Sequence, residues 1–526
     1  MSNSVHIYDT TLRDGAQQEG LNLSIADKIT IAGLLDELGV DFIEGGWPGA
    51  IPKDTEFFAR AGELDLKHAT LAAFGSTRKA NVAVEDDAQV NALLAANTSV
   101  VTLVAKSHLG HVERALKTTA DENLAMITDT IRFLTAQGRR VFLDAEHFFD
   151  SFRSSTSYAL DVVAASHEAG AELVALCDTN GGMLPSWITE AVGRVHAEVP
   201  NARLGIHAHN DTGCAAANSI AAVEAGATHV QGTINGYGER TGNADLLTVA
   251  LNLDLKLGLN TLPEGHRAEA SSIAHAISEH TNIPAGARQP YVGSSAFAHK
   301  AGLHASAIRV DPDLYQHIDP VQVGNDMRML ISDMAGRASI ELKGKELGYD
   351  LAGNHDLLGR LTNRVKELEA KGYTFDAADA SFELLLREEA DGSRPEFFQV
   401  ANWRTIVVAK GTHGANDIDT AEATVKVRVK GEKLITTVEG NGPVNALDKA
   451  LRQVLSGAYP QLSAVRLVDY KVRILDSASG TDAVTRVLIE STDGDRRWTT
   501  VGVASNVVEA SWQALLDSLV YFLVKN

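Results

Sequence analysis

Two histidines spaced i, i+2 stand at the end of an apolar run in Arg203-Leu-Gly-Ile-His207-Ala-His209-Asn210-Asp211-Thr212-Gly213. Read as a strand entering a polar turn, the run alternates faces with period 2, so His207 and His209 project to one side, about 7 Å apart. That is a bite for one metal ion. Alone, the pair is as well explained by one core histidine and one exposed strand end, so the rest of the chain must decide. Further reactive residues follow other apolar runs: Asp9-Thr10-Thr11-Leu12-Arg13-Asp14-Gly15, Asp144-Ala-Glu146-His147, Cys177-Asp178-Thr179-Asn180-Gly181-Gly182 and Asn235-Gly-Tyr-Gly-Glu239-Arg240-Thr-Gly-Asn243. Each has a plain reading as turn chemistry, but chance turns seldom collect histidines and carboxylates on one rim. Asp14, His207 and His209, with Asn243, would give mixed oxygen and nitrogen ligation. That suits Mn²⁺, Mg²⁺ or Zn²⁺ with positions left open, whereas a closed structural zinc would use cysteines. Such a cation chelates a 2-oxo acid and polarises its ketone, and Arg13 adds a fixed donor beside the developing alkoxide.

The elements that must hold these groups recur. Apolar runs at Val5–Asp9, Asp41–Gly45, His68–Phe74, Ser99–Ala105, Arg140–Glu146, Leu173–Asp178, Leu204–His209 and His229–Thr233 alternate with stretches of helical period. The first helix has Ser24 as its N-cap, with Ile25, Ile29, Ala32, Leu35 and Leu38 at helical spacing; Pro185 opens another. Eight βα units within residues 1–262 predict a (β/α)₈ TIM barrel, with chemistry at the C-terminal ends of its strands. A doubly wound open sheet is the alternative, but no Gly-x-Gly-x-x-Gly turn follows the first run.

Over residues 263–392 the alternation stops, and helical pieces at Glu269–His280 and Leu357–Lys371 predict linker or cap subdomains. Phe297-Ala-His299-Lys300-Ala-Gly302-Leu-His304-Ala-Ser306 carries too many ionisable groups for a plain linker and reads as a cap over the barrel mouth or an interdomain surface. Residues 393–526 predict an α+β domain of duplicated strand-strand-helix units, with strands at Ala421–Val429, Lys433–Glu439, Val465–Ile474, Asp482–Glu490 and Arg496–Val503. Their helices span about Val444–Ser456 and Val507–Tyr521. This module carries no evident catalytic set, so binding or dimerisation is expected of it.

Totals narrow the partners. The 526 residues carry a formal charge of −21, which disfavours nucleic acid and anionic membrane; an anionic substrate would need local cations or a metal. No run approaches the ~18 uninterrupted apolar residues of a membrane span. Met1-Ser-Asn-Ser-Val-His-Ile-Tyr lacks a basic region and an apolar signal core, so no export is expected. Two cysteines, Cys177 and Cys214, make no disulfide framework and fit a reducing cytoplasm.

The runs Asp9-Thr-Thr-Leu-Arg-Asp-Gly, His207-Ala-His209-Asn-Asp and Asn235-Gly-Tyr-Gly-Glu-Arg-Thr-Gly-Asn243 together resemble the signatures of the isopropylmalate, homocitrate and citramalate synthase family. The resemblance covers essentially the whole chain. It implies a Claisen condensation in which acetyl-CoA, the co-substrate, loses a methyl proton, attacks a metal-bound 2-oxo acid, and the thioester is then hydrolysed. Carried over residue by residue, it implies that Asp14, His207 and His209 bind the metal, Asn243 sits at or next to it, and Arg13 contacts the ketone oxygen. It further implies that Thr179 holds the oxo acid's carboxylate, and that Glu146, His304 and Tyr315 belong to the acid/base machinery. Ala305-Ser306-Ala307 stands where the family commonly has Gln-Asp-Gly, which removes any acid from that point. Glu44-Gly45-Gly46-Trp47-Pro48-Gly49 and the run from Val323 to Ile340 resemble the branch whose oxo acid is pyruvate and whose effector is isoleucine, bound across a homodimer.

Three rivals stand beside this reading. Use of 2-oxoisovalerate is the nearest, since a few pocket contacts of about 1–3 kcal/mol each separate the two oxo acids. A metal-dependent amidohydrolase would carry its His-x-His on the first strand, whereas here it ends the seventh. An amino-acid sensor on an inactive barrel would hold no metal and release no CoA.

Overall fold

The computed structural model describes residues 5–408, 420–475 and 483–526. Eight parallel strands close into a barrel in sequence order: β1 (His6–Asp9), β2 (Phe42–Gly46), β3 (Thr70–Ser76), β4 (Val100–Lys106), β5 (Arg140–Glu146), β6 (Leu173–Asp178), β7 (Leu204–Ala208) and β8 (His229–Gly232). These are the eight expected runs, displaced by no more than two residues at an end. The barrel closes where His6 to Asp9 of β1 register with His229 to Gly232 of β8. Strands buried on both sides read as continuous apolar runs, and every residue of β2, β6, β7 and β8 is buried.

The helices start where local chemistry dictates. Ser24 caps Ile25–Leu38 in a capping box with Asp27, and Gly39, at φ 88°, ends it. Asp87 caps Ala88–Ala95 through bonds from the backbone N–H groups of Gln89 and Val90. The helix Pro52–Ala59, which the periodicity reading does not include, is held by a buried ion pair from Lys28 to Asp54. Asp54 also accepts from the backbone of Trp47 at 2.8 Å, so the pair fixes the turn after β2.

Two compact units make up the described chain. The first takes the barrel, the helix Ala270–Thr281 and the chain up to Phe297, together with Pro320–Asp326; the second takes Ala298–Asp319 and the chain from Met327. In the second, the helices Gly302–Ile308, Arg337–Glu346, His355–Ala370 and Asp379–Asp391 enclose Ile308, Ile340, Leu361, Phe375 and Phe382.

Two antiparallel three-stranded sheets follow, each with one helix. Phe398–Val408, Thr420–Val429 and Glu432–Gly440 precede Pro443–Leu455; Arg466–Ile474, Thr485–Thr492 and Arg497–Ala504 precede Val507–Lys525. The duplicated unit thus has three strands before its helix. The strand Phe398–Val408 escapes a periodicity reading because a register shift between Val400 and Asn402 breaks its alternation. Asp482, the expected start of a later strand, lies outside the described residues. Val507–Lys525 is apolar and long enough to cross a membrane, but it buries Trp512, Leu515, Leu519, Phe522 and Leu523 in the core of this region.

Inside the barrel, Tyr8, Phe42, Phe142 and His229 pack ring against ring at centroid distances of 5.2–6.2 Å. His229 is fully buried and neither ring nitrogen has a hydrogen-bond partner. Burial first, then the charges of His6 and Arg203, hold its pKa well below the ordinary 6.5. It therefore stays neutral in the folded chain while the unfolded chain gains a proton below about pH 6.5. Stability falls with pH there, by at most about 1.4 kcal/mol per unit. His229→Phe is expected to raise the melting temperature and to flatten its decline between pH 6.5 and 5; an unaltered pH slope in thermal melts would contradict this.

Candidate metal centre

The loop after β1 is folded back on itself and pinned to the loop after β8. Asp9 accepts from the backbone N–H and the hydroxyl of Thr11, both at 2.8 Å, and the Thr11 hydroxyl oxygen accepts from the N–H of Ile234. Burial pushes the Asp9 carboxyl up to about 7, against the pull of the Thr11 bonds. The backbone N–H of Thr10 donates to Gly232. Arg13 and Asp14 are thereby set above the ends of β7 and β8.

Both imidazoles of the His-x-His turn the same edge towards Asp14. His207 Nε2 lies 3.1 Å from Asp14 Oδ2 and 3.3 Å from His209 Nε2, and His209 Nε2 lies 3.8 Å from the same carboxylate oxygen. All three side chains are buried. Burial opposes charge on Asp14, but the Arg13 guanidinium and the bond from His207 hold it well below the usual carboxylate range. Burial likewise opposes charge on His207, and Asp14 outweighs it, raising that pKa. His209 goes the other way, to about 4, through burial and the neighbouring His207.

Asn243 forms an isolated bridge with His209, and its amide nitrogen donates to the Tyr237 carbonyl at 3.0 Å. Its buried Oδ1 has no partner. Gly238 makes room for it, since a Cβ there would lie 2.3 Å from Asn243 Nδ2, and Gly242 lets the loop fold close, since a Cβ there would lie 1.9 Å from the Gly236 carbonyl. A hard carboxylate oxygen and two imidazole nitrogens converging in a buried place, beside an unpartnered amide oxygen, fit a divalent cation of oxygen and nitrogen preference.

This cluster lies in a cavity of about 520 Å³, also lined by Arg13, Trp47, Phe74, Asp144, Glu146, Cys177 and Thr179. The Arg13 guanidinium stacks on Phe74 with 3.8 Å to the ring centroid, and its Nε donates to Glu44 Oε1 at 2.6 Å. Glu44 is fully buried; its other oxygen accepts from the Tyr8 hydroxyl at 2.6 Å. Thr179 Oγ1 accepts from the backbone N–H of His147 at 2.8 Å, so its own proton is free to face a ligand. Glu146 pairs with Lys106. Burial and the charge of Glu44 push Asp144 up to about 7.

Of the residues singled out from sequence, Arg13, Asp14, Glu146, Thr179, His207 and His209 all line this cavity. His304 and Tyr315 belong to the second unit, where their rings stack at 4.1 Å. Two residues were missed in any structural role. Glu44 read only as part of the run Asp41–Gly45 and of the segment that resembles the pyruvate-using branch, and Gln231 read as the interior of β8; the available signal was a polar side chain inside a fully buried strand.

Comparison with known proteins agrees with this layout. Residues 4–271 match the family model described as HMGL-like, residues 291–373 the homocitrate synthase post-HMGL domain-like model, and residues 376–523 the LeuA allosteric (dimerisation) domain. An (R)-citramalate synthase of Streptomyces coelicolor is 61% identical over all of this chain and 98% of that protein. One of Aquifex aeolicus is 48% identical over all of this chain and 99% of its own. A 2-isopropylmalate synthase of Pseudoalteromonas atlantica is 33% identical over 99% of this chain and 96% of that protein.

Removing one partner of a buried ion pair leaves the other charge uncompensated, at a cost of about 3–5 kcal/mol. Glu44→Ala is expected to lower stability by about that amount through Arg13. Urea unfolding checks it, and an unchanged midpoint would mean that Asp14 alone balances Arg13.

Proposed function

The chain belongs to the HMGL-like family, among the (R)-citramalate synthases, and from that membership we propose that it condenses acetyl-CoA with pyruvate and water to give citramalate and CoA. The observation that carries the choice of pyruvate is the step in whole-length identity between relatives named for citramalate and relatives named for 2-isopropylmalate.

A divalent cation held by Asp14, His207 and His209, with Asn243 at or next to it, would supply Lewis-acid polarisation of the oxo acid's ketone. Mn²⁺, Mg²⁺ and Zn²⁺ all suit that donor set. The chain's own groups do the rest. The Arg13 guanidinium, locked by Glu44 and Phe74, donates to the ketone oxygen as it gains charge, and because it is already in place no reorganisation is needed at that moment. The free Thr179 proton is directed at the oxo acid's carboxylate. The acetyl methyl gives up a proton, its carbon bonds to the ketone carbon, the alkoxide is protonated, and water cleaves the thioester to release CoA. We assign these proton transfers to Glu146, His304 and Tyr315 on family resemblance alone. In a chain of net charge −21, attracting two anionic substrates falls to the cation and to the basic residues that line the cavity, Arg13, Arg78, Lys79, Lys106 and Arg240.

We further propose that the C-terminal domain pairs two copies into a homodimer and binds isoleucine as effector. Supporting this, the match to an allosteric (dimerisation) domain spans both three-stranded sheets, and those sheets expose Ile406, Ile435, Val472 and Ile474. Exposed apolar side chains on an open sheet face are available to a partner. The two free cysteines support a cytoplasmic setting.

With Mn²⁺ present, free thiol is expected from acetyl-CoA and pyruvate, abolished by a chelator and absent with 2-oxoisovalerate. Thiol release with 2-oxoisovalerate only would keep the mechanism and change the substrate; silence with both would remove the enzyme reading. His207→Ala is expected to abolish turnover, and full activity at saturating Mn²⁺ would overturn its place as a ligand. Isoleucine is expected to inhibit thiol release where leucine at the same concentration does not, and inhibition by leucine alone would reassign the effector.

A further inference from the structure

Gln231 is the third residue of β8, fully buried, and bonded at both ends of its amide. Its nitrogen donates to Asp144 Oδ1 on β5 at 2.8 Å, and its oxygen faces His207 Nδ1 on β7 at 2.9 Å. An amide has one donating end and one accepting end. With the Asp144 carboxylate taking the donating end, only the oxygen is left for His207. Two acceptors cannot face each other at that distance, so His207 Nδ1 carries a proton, and Nε2, which shares a proton with Asp14 in the metal-free chain, is the nitrogen left to give that proton up and offer its lone pair to a cation. Nε2 is the atom that faces Asp14 Oδ2 and His209 Nε2.

The second histidine has no such device. His209 Nδ1 is buried without a hydrogen-bond partner, so of these two histidines only His207 has its Nδ1 proton fixed by a side chain. A buried amide costs free energy unless both ends are bonded, and an apolar side chain would suit an inward position of β8 better. Spending that position on Gln231 makes sense when the amide has a task at the other end.

We propose that Gln231 and Asp144 are positioning residues that lock His207 as its Nδ1–H tautomer and thereby set the affinity of the centre for its divalent cation. This rests on the metal reading given above. Outer partners of metal-bound histidines have that effect in general, at about 10–100-fold in affinity.

The test is calorimetric titration of Mn²⁺ into the chelator-stripped full-length chain, with thermal melts of each metal-free variant. Q231M keeps the approximate volume and loses the acceptor, and its dissociation constant is expected to rise about 10–100-fold. Q231E keeps an oxygen opposite Nδ1–H and is expected to bind close to the original chain. D144N lets the Gln231 amide face either way and is expected to fall between the two; it decides the matter should Q231M fail to fold. Unchanged affinity in Q231M and D144N overturns the inference, as does a Q231E that loses as much as Q231M, since Gln231 would then act by packing. If the unsubstituted chain binds no Mn²⁺, the metal reading itself fails, which is a distinct result.

Discussion

The ladder between β1 and β8 is the seam on which this structure depends. Asp14 leaves β1 near the start of the chain, while His207 and His209 leave β7 almost two hundred residues later; only closure of the barrel makes them neighbours. The seam continues past the strands, through Thr10 to Gly232 and Thr11 to Ile234. The same contacts that close the sheet therefore aim Arg13 and Asp14, and barrel stability and site geometry are one constraint.

Electrostatics explains why that site wants a cation. Asp9, Asp14, Glu44 and Asp144 are all buried around the mouth, and the Arg13 guanidinium is set among them. Burying a carboxylate costs several kcal/mol unless it is paired. Part of that cost is met by raised pKa values, as at Asp9 and Asp144, and part by pairing, as at Asp14 and Glu44. A bound divalent ion would relieve most of what is left and, by the same charge, would draw an anionic oxo acid into an otherwise acidic chain.

The C-terminal sheets follow another logic. Each three-stranded sheet buries one face under its helix and leaves strands such as Glu432–Gly440 and Arg466–Ile474 largely open. Three strands with one covered face suffice for local stability, and the other face leaves apolar side chains such as Ile435 and Val472 exposed. That division agrees with a match to a dimerisation domain and with the absence there, among the described residues, of any cluster resembling the barrel's.

How much was legible in the sequence follows from the range of the signals. Period-2 and period-3.6 patterning with cap residues is local, and it gave eight strands, the helix capped by Ser24 and the rim on which Asp14, His207 and His209 stand. The strand Phe398–Val408 was lost because its register shift breaks the local period. What no local pattern contains is which polar group meets which across the barrel. Glu44 finds Arg13 across 31 residues and Gln231 finds Asp144 across 87, through strands that are adjacent or opposite only once the sheet has closed. Sequence by itself determined the side-chain inventory and the face each residue occupies, because both are set within a few residues by backbone geometry. Tertiary structure alone decided the pairings that fix charge, tautomer and orientation, because a hydrogen bond depends on distance and direction in space.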